Sequence, residues 1–129
     1  MTDNFSIAEL TLDELRPLLA AALPAHAAFD GWNESALAAA AADIGADPDV
    51  ARLAFPGGAL EMIDAWTAQI DAALATRFTA DELAAMKVRT RISSLLRARI
   101  ELAAPHREAA RRALAVLALP QNVAAATRM

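Results

Sequence analysis

The side chains able to do chemistry are few and scattered. Histidine occurs twice: His26 lies in an alanine run beside Pro24, and His106 follows Pro105. Neither belongs to a His-x-x-x-His pair or an HExxH motif, so no metal-ligand spacing is present. There is no cysteine, which removes disulfides, thiolate metal sites and a Cys nucleophile, and fits a reducing compartment. None of Ser6, Ser35, Ser93 and Ser94 sits in a Gly-x-Ser-x-Gly elbow. Glu61 and Asp64 share a helical face and read as a solvated acidic pair. Gly57-Gly58 precedes a helix, as a phosphate cradle would, but no Lys or Ser/Thr comes after it, and the pair reads as a plain turn. No catalytic residue, metal or cofactor is therefore assigned, and binding is expected in place of catalysis.

The remaining chemistry is that of a nucleic-acid reader, and here the charges disagree with the geometry. Gly31 to Gly58 reads as two short helices joined by a tight turn, a helix-turn-helix. Ala41 supplies a small residue where the helices cross. Gly45 supplies the positive φ of the turn. Ile44, Ala51 and Ala54 form the apolar seam. Asn33 or Glu34 starts the first helix, and Pro48 opens the second, where its missing N–H costs nothing. A reading helix needs cations for the phosphates and Arg, Lys, Asn or Gln for base edges. The segment Pro48 to Phe55 offers Arg52 alone, beside Asp43, Asp47 and Asp49. Residues 1–64 hold eleven acids and two bases, whereas residues 65–129 hold five acids and ten bases. The would-be reader lies in the acidic half, so no nucleic-acid partner is expected.

The elements that must position these residues are helical. The 129 residues suffice for one domain with a modest core. Alanine and leucine dominate, with little Gly and few β-branched or aromatic residues, a composition that favours helix. Each run of eighteen residues long enough to span a bilayer contains a charge. The acidic N-terminus carries no export or organelle signal.

Residues 1–8 read as a loose tail. Thr11 and Glu14 form a capping box, and Leu12, Leu15, Leu19 and Leu23 mark an amphipathic helix that Pro24 ends or kinks. Ala25 to Asp30 adds a short turn, and Trp32 plugs the entry to the next helix. A helix from Ala59 to Phe78 comes after the Gly pair, with Met62, Ile63, Trp66, Ile70 and Leu74 on its apolar face. Thr79 and Glu82 form a second capping box. The spacing then predicts one long helix over Ala80 to Ala104, with Val88, Ile92, Leu95, Leu96, Ile100, Leu102 and Ala103 on a broad apolar arc. Arg89 and Arg99 lie in or at the rim of that arc, where they either snorkel to water or meet a head group or a carboxylate. Pro105 breaks the helix, residues 106–118 form another, Pro120-Gln121-Asn122 turns, and a last Ala-rich segment runs to Met129.

The order of features is specific. Gly31-Trp32 opens an Ala-rich helix, and Ile44-Gly45 stands at the turn. Ala54-Phe55-Pro56-Gly57-Gly58 precedes the fourth helix. The segment KVRTRISSLLRARIELAAPH and the ending ALAVLALPQNV complete the order. Together they resemble the ninth coenzyme-Q biosynthesis protein family, ubiquinone-biosynthesis accessory proteins with a TetR-like fold. The resemblance runs from about Leu12 to the C-terminus. Ordinary TetR regulators lack the pattern of Arg99-Ile100, Pro105 and Leu119-Pro120-Gln121-Asn122. Family members often carry Trp where this chain has Ala110. The resemblance implies a lipid-binding protein, not an enzyme, that presents polyprenyl quinone intermediates to a ring hydroxylase at a membrane surface. Family chains continue through further helices that complete the pocket and dimer interface and end in an amphipathic membrane-docking helix, so the present chain is expected to be truncated.

The expected architecture is accordingly all-α. It is a TetR-like helical bundle with an N-terminal helix-turn-helix three-helix unit, followed by three longer helices, within a single domain over residues 1–129. Residues 9–56 form the helix-turn-helix-like subdomain and residues 57–129 the start of the lipid-binding subdomain. Trp66, Ile70, Leu74, Ile92, Leu96, Ile100, Leu114 and Leu117 are expected to line a slot between the last three helices. An isoprenoid tail gains on the order of 2–3 kcal/mol per unit hidden from water, at ~25 cal/mol per Å², so a carrier needs a long apolar slot above all. The same residues packed on each other would be ordinary core. The expected partners are an isoprenoid or phospholipid ligand, the hydroxylase, the membrane surface and a second copy of the chain, in a cytoplasmic, peripherally membrane-associated protein. The alternative is a TetR-type DNA-binding transcriptional regulator.

Overall fold

The computed structural model describes residues 7–126. After a 3-10 turn at Ile7–Glu9, the chain forms α1 (Leu12–Asp30), α2 (Glu34–Ile44), α3 (Pro48–Ala54), α4 (Ala59–Arg77), α5 (Ala80–Ala85), α6 (Val88–Ala103), α7 (Arg107–Leu117) and α8 (Val123–Ala126). Among the described residues there is no strand, so the all-α expectation holds. The expected tail lies outside the described residues except for Ile7 and Ala8, which enter the opening turn. The last residues of the Ala-rich segment also lie outside them.

The start of α1 obeys its sequence signal. Glu14 N–H donates to Thr11 Oγ1 at 3.1 Å, and Thr11 N–H donates to Glu14 Oε1 at 2.9 Å. These two bonds satisfy donors that the first helical turn leaves orphaned. Of the two outcomes expected at Pro24, an end or a kink, the helix does not end there. The helix runs on to Asp30 with both Pro17 and Pro24 inside it. Each internal proline removes a ladder bond and costs about 3 kcal/mol. The offset is burial along the whole length: Leu15, Leu19, Leu23 and Ala27, spaced by four, are at most 2% exposed, and Pro24 itself is buried. Gly31 at φ +86° then closes the helix, its N–H donating to Ala27 O.

The helix-turn-helix forms as its residues demand. Asn33 caps α2, accepting from Ala36 N–H at 3.0 Å. Gly45 ends α2 in the left-handed region, at φ +76°. Ala46 N–H reaches back to Ala41 O at 2.8 Å, the closing bond of a Schellman turn. Asp47 caps α3 ahead of Pro48. Ala41, Ala51 and Ala54 are buried in the seam, with Ile44 half-buried beside them.

One core joins this unit to the later helices. Helix α1 packs on α2, α3, α4 and α7. Trp32 is the core plug expected of it: buried, with its indole N–H donating to Ala109 O of α7 at 2.9 Å. After the unit come α4, α5, α6 and α7; of these α4 (19 residues) and α6 (16 residues) are long, whereas α7, at 11 residues, is no longer than α2, so the expected three longer helices are two.

The single helix expected over Ala80 to Ala104 is two. Met86 (ψ 148°) and Lys87 (ψ 150°) are extended, which separates α5 from α6. The carbonyls freed at the end of α5 have another partner: the Arg91 guanidinium donates to Leu83 O at 3.0 Å and to Met86 O at 3.4 Å. A side chain four residues past the break thus supplies the bonds that a continuous ladder would have made.

Candidate functional site

The reading surface of the helix-turn-helix is electrically silenced. Arg52, its one base, pairs with Asp49 one turn away and lies 3.6 Å from Glu34 of α2. Arg16 of α1 reaches the end of α3, donating to Ala54 O and lying 4.8 Å over the Phe55 ring. Both cations near α3 are therefore engaged within the fold, and Asp47 and Asp49 stand at its entrance. No positive crest forms on this helix.

The candidate site lies at the other end of the chain. A groove of about 360 Å³ opens between α4, α6 and α7. Ile63, Trp66 and Ile70 line it from α4, and Ala110, Ala113, Leu114 and Leu117 from α7. Arg99 and Ala103 contribute from α6, and Thr67 adds a hydroxyl that is already spent on Ile63 O at 2.9 Å. Trp66 is held between two rings. Trp32 is tilted against it at 5.3 Å between centroids, and His106 meets it edge-on at 6.2 Å. Such aromatic pairs add to the stabilisation from burial alone and fix the indole as a rigid wall. At the rim, Arg99 is ion-paired with Asp71 of α4. The lining is thus apolar, with one charged pair at the edge. This composition suits a hydrocarbon chain with a polar end. A second groove of the same volume, between α1 and α4, is lined by Pro17, Ala65, Ala68 and Ala72 together with Asp13, Arg16, Asp64 and Gln69; its surface is as largely apolar as that of the first, but it carries three charged side chains and no large aliphatic or aromatic one.

Of the eight residues expected to line one slot, the structure brings Trp66, Ile70, Leu114 and Leu117 to the groove. Leu74 is half-buried farther along α4 and does not reach it. Ile92, Leu96 and Ile100 are exposed on α6. The reason is the rotation of α6. Its buried and half-buried positions include Arg91, Leu95, Ala98 and Leu102, a row beside the one that carries Ile92, Leu96 and Ile100. The groove residues that the expected slot did not include are Ile63, Thr67, Arg99, Ala103, Ala110 and Ala113. Small side chains on facing helices leave the space, and their spacing was the available signal. Of the two arginines placed at the rim of the arc, Arg99 meets a carboxylate and Arg89 is exposed.

The histidines differ from expectation in one respect. His26 of α1 is not alone: its Nε2 lies 2.5 Å from Asp43 Oδ2 of α2, clamping the two helices. Among the described residues no group of three or more His, Asp or Glu side chains is placed to hold a metal ion, and no helix is long and apolar enough to cross a membrane. No protein-family model, curated protein or solved structure matches the chain.

Proposed function

We propose that this chain is a lipid-binding protein with a TetR-like helical arrangement, an accessory factor of ubiquinone biosynthesis that presents polyprenyl quinone intermediates to a membrane-associated hydroxylase. The observation that carries the lipid reading is the apolar groove between α4, α6 and α7, walled by the immobilised Trp66 and open past Leu114. The assignment to quinone synthesis comes from the sequence resemblance. In this reading the protein works by binding, without catalysis of its own, in the cytoplasm at the membrane surface.

The test is organic extraction of the purified protein and mass spectrometry of the extract. A stoichiometric isoprenoid or phospholipid is the expected outcome, and its loss on Ala113→Phe, which fills the groove, locates it. An extract free of lipid from protein that also fails to take up added polyprenyl quinone rejects the reading.

The geometry of α2 and α3, with Gly45 in the left-handed turn, favours a second reading as a TetR-type regulator. It requires sequence-specific DNA binding with a steep salt dependence. A gel-shift assay at two salt concentrations decides between them, and the engaged state of Arg16 and Arg52 speaks for no shift.

A further inference from the structure

Helix α6 leaves an apolar row in solvent. Val88, Ile92, Leu96 and Ile100 are spaced by four and are each more than half exposed, at 64%, 53%, 57% and 69%. Residues so spaced stand one above another along the helix, here over roughly 18 Å at 1.5 Å per residue. The row continues into the groove. Arg99 and Ala103, which line it, lie three residues on from Leu96 and Ile100 and so adjoin them on the helix surface. Leu114, 66% exposed, stands at the opposite lip.

The charges of this helix are mostly of one sign. Residues 87–101 carry Lys87, Arg89, Arg91, Arg97 and Arg99 against Glu101 alone. The acids facing them are neutralised: Asp71 by Arg99 and Glu101 by Arg77. Arg91 is occupied with the carbonyls of Leu83 and Met86. Lys87, Arg89 and Arg97 are exposed and form none of the ion pairs found among the described residues.

This combination selects the occupant. A second copy of α6, laid antiparallel so that the row meets itself, would bring together two faces of net positive charge, with Arg89 opposite Arg99 and only Lys87 and Glu101 of contrary sign, a juxtaposition that an interface avoids. An anionic bilayer surface satisfies both features, with the aliphatic row entering the head-group boundary and the arginines meeting lipid phosphates. We infer that α6 docks the protein on an anionic membrane surface through Val88, Ile92, Leu96 and Ile100, with Lys87, Arg89 and Arg97 on the phosphates and the groove mouth facing the bilayer. The orientation of the groove rests on the lipid-binding reading above; the docking itself does not.

The experiment is flotation of the full chain with vesicles of phosphatidylcholine alone, and of equal parts phosphatidylcholine and phosphatidylglycerol. The expected result is binding to the anionic vesicles and little to the neutral ones. Each cation near the surface contributes about fivefold, so Arg89→Gln with Arg97→Gln lowers the affinity for anionic vesicles by about 30-fold. Ile92→Ser with Leu96→Ser lowers it by about tenfold or more, through lost insertion. Circular dichroism of both variants reports that the exposed positions leave the fold intact. Failure of the native chain to float, or unchanged flotation of both double variants, overturns the proposal. So does a dimer, seen by sedimentation equilibrium, that the Ile92→Ser and Leu96→Ser changes dissociate while the native chain ignores vesicles. Lipid in the extract of a protein that does not float overturns docking and leaves the carrier standing. Flotation of a protein whose groove is empty and takes up no quinone does the reverse.

Discussion

Two helices of this molecule carry nearly the same aliphatic pattern and meet opposite fates. In α1, Leu15, Leu19 and Leu23 recur every four residues and vanish into the core. In α6, Val88, Ile92, Leu96 and Ile100 recur with the same step and remain in solvent. The difference lies in what surrounds each row. Helix α1 is enclosed by α2, α3, α4 and α7, whereas α6 packs chiefly on α4. Helix α6 also has a choice that α1 lacks, because a second row through Leu95, Ala98 and Leu102 lies beside the first, and this is the row that turns inward. Periodicity thus identifies a face that can be buried. The neighbours decide whether it is.

The sharpest way to break this comparison is to truncate one leucine from each row. Leu19 is fully buried, and Leu19→Ala is expected to cost about 3 kcal/mol through lost transfer energy and a cavity. Leu96 is more than half exposed, and Leu96→Ala should change the stability of the free protein by less than about 0.5 kcal/mol. Urea denaturation of the two variants measures both. Equal losses would show that α6 is covered in solution and would remove the contrast.

A smaller effect probes the turn on which the acidic half depends. Gly45 sits at φ +76° with open space where a Cβ would go, so Gly45→Ala introduces no clash. Its cost is the left-handed backbone conformation alone, about 1–2 kcal/mol, and thermal unfolding should register it. A neutral result would mean that the turn relaxes to another closure and that the Schellman bond from Ala46 to Ala41 is dispensable.

What was legible in the sequence divides along the same line. The helix-turn-helix, its cap at Asn33 and the glycine turn could be read because each rests on a local rule of backbone chemistry, and Trp32 could be read as a plug from its size, whereas the cap at Asp47 was not anticipated. The missing cations of α3 were legible too, and the structure adds that Arg52 and Arg16 are occupied. The errors are tertiary. Pro24 looked like a terminator because the local rule for proline is strong, yet burial on both sides of it holds α1 together. The break at Met86 and Lys87 carries no Gly or Pro, and the side chain that bonds the carbonyls there, Arg91, lies several residues on. Half of the expected slot residues reached the groove, and the rest were lost to a rotation of α6 that periodicity does not encode.

The smallest expected effect concerns the one strongly shifted carboxylate. In α7, Glu108 accepts hydrogen bonds from Arg111 at 2.9 Å and Arg112 at 3.1 Å. The bond to Arg111 is the largest cause holding its carboxyl down to about 2. Its folded value thus lies below the unfolded one of about 4.3, so the ionised form favours the folded state. That contribution is fully present above the unfolded value and is lost as the pH falls through about 2. The group is exposed, so salt screens the interaction. The expected outcome is that Glu108→Gln lowers the melting temperature slightly at neutral pH, that the gap to the native chain narrows as the pH drops below about 4, and that added salt narrows it as well. Glu14 and Glu82, whose carboxyls are lowered by their capping threonines, remain in both proteins and cancel from the difference. A gap that instead widens in acid would mean that ionised Glu108 does not favour the folded state.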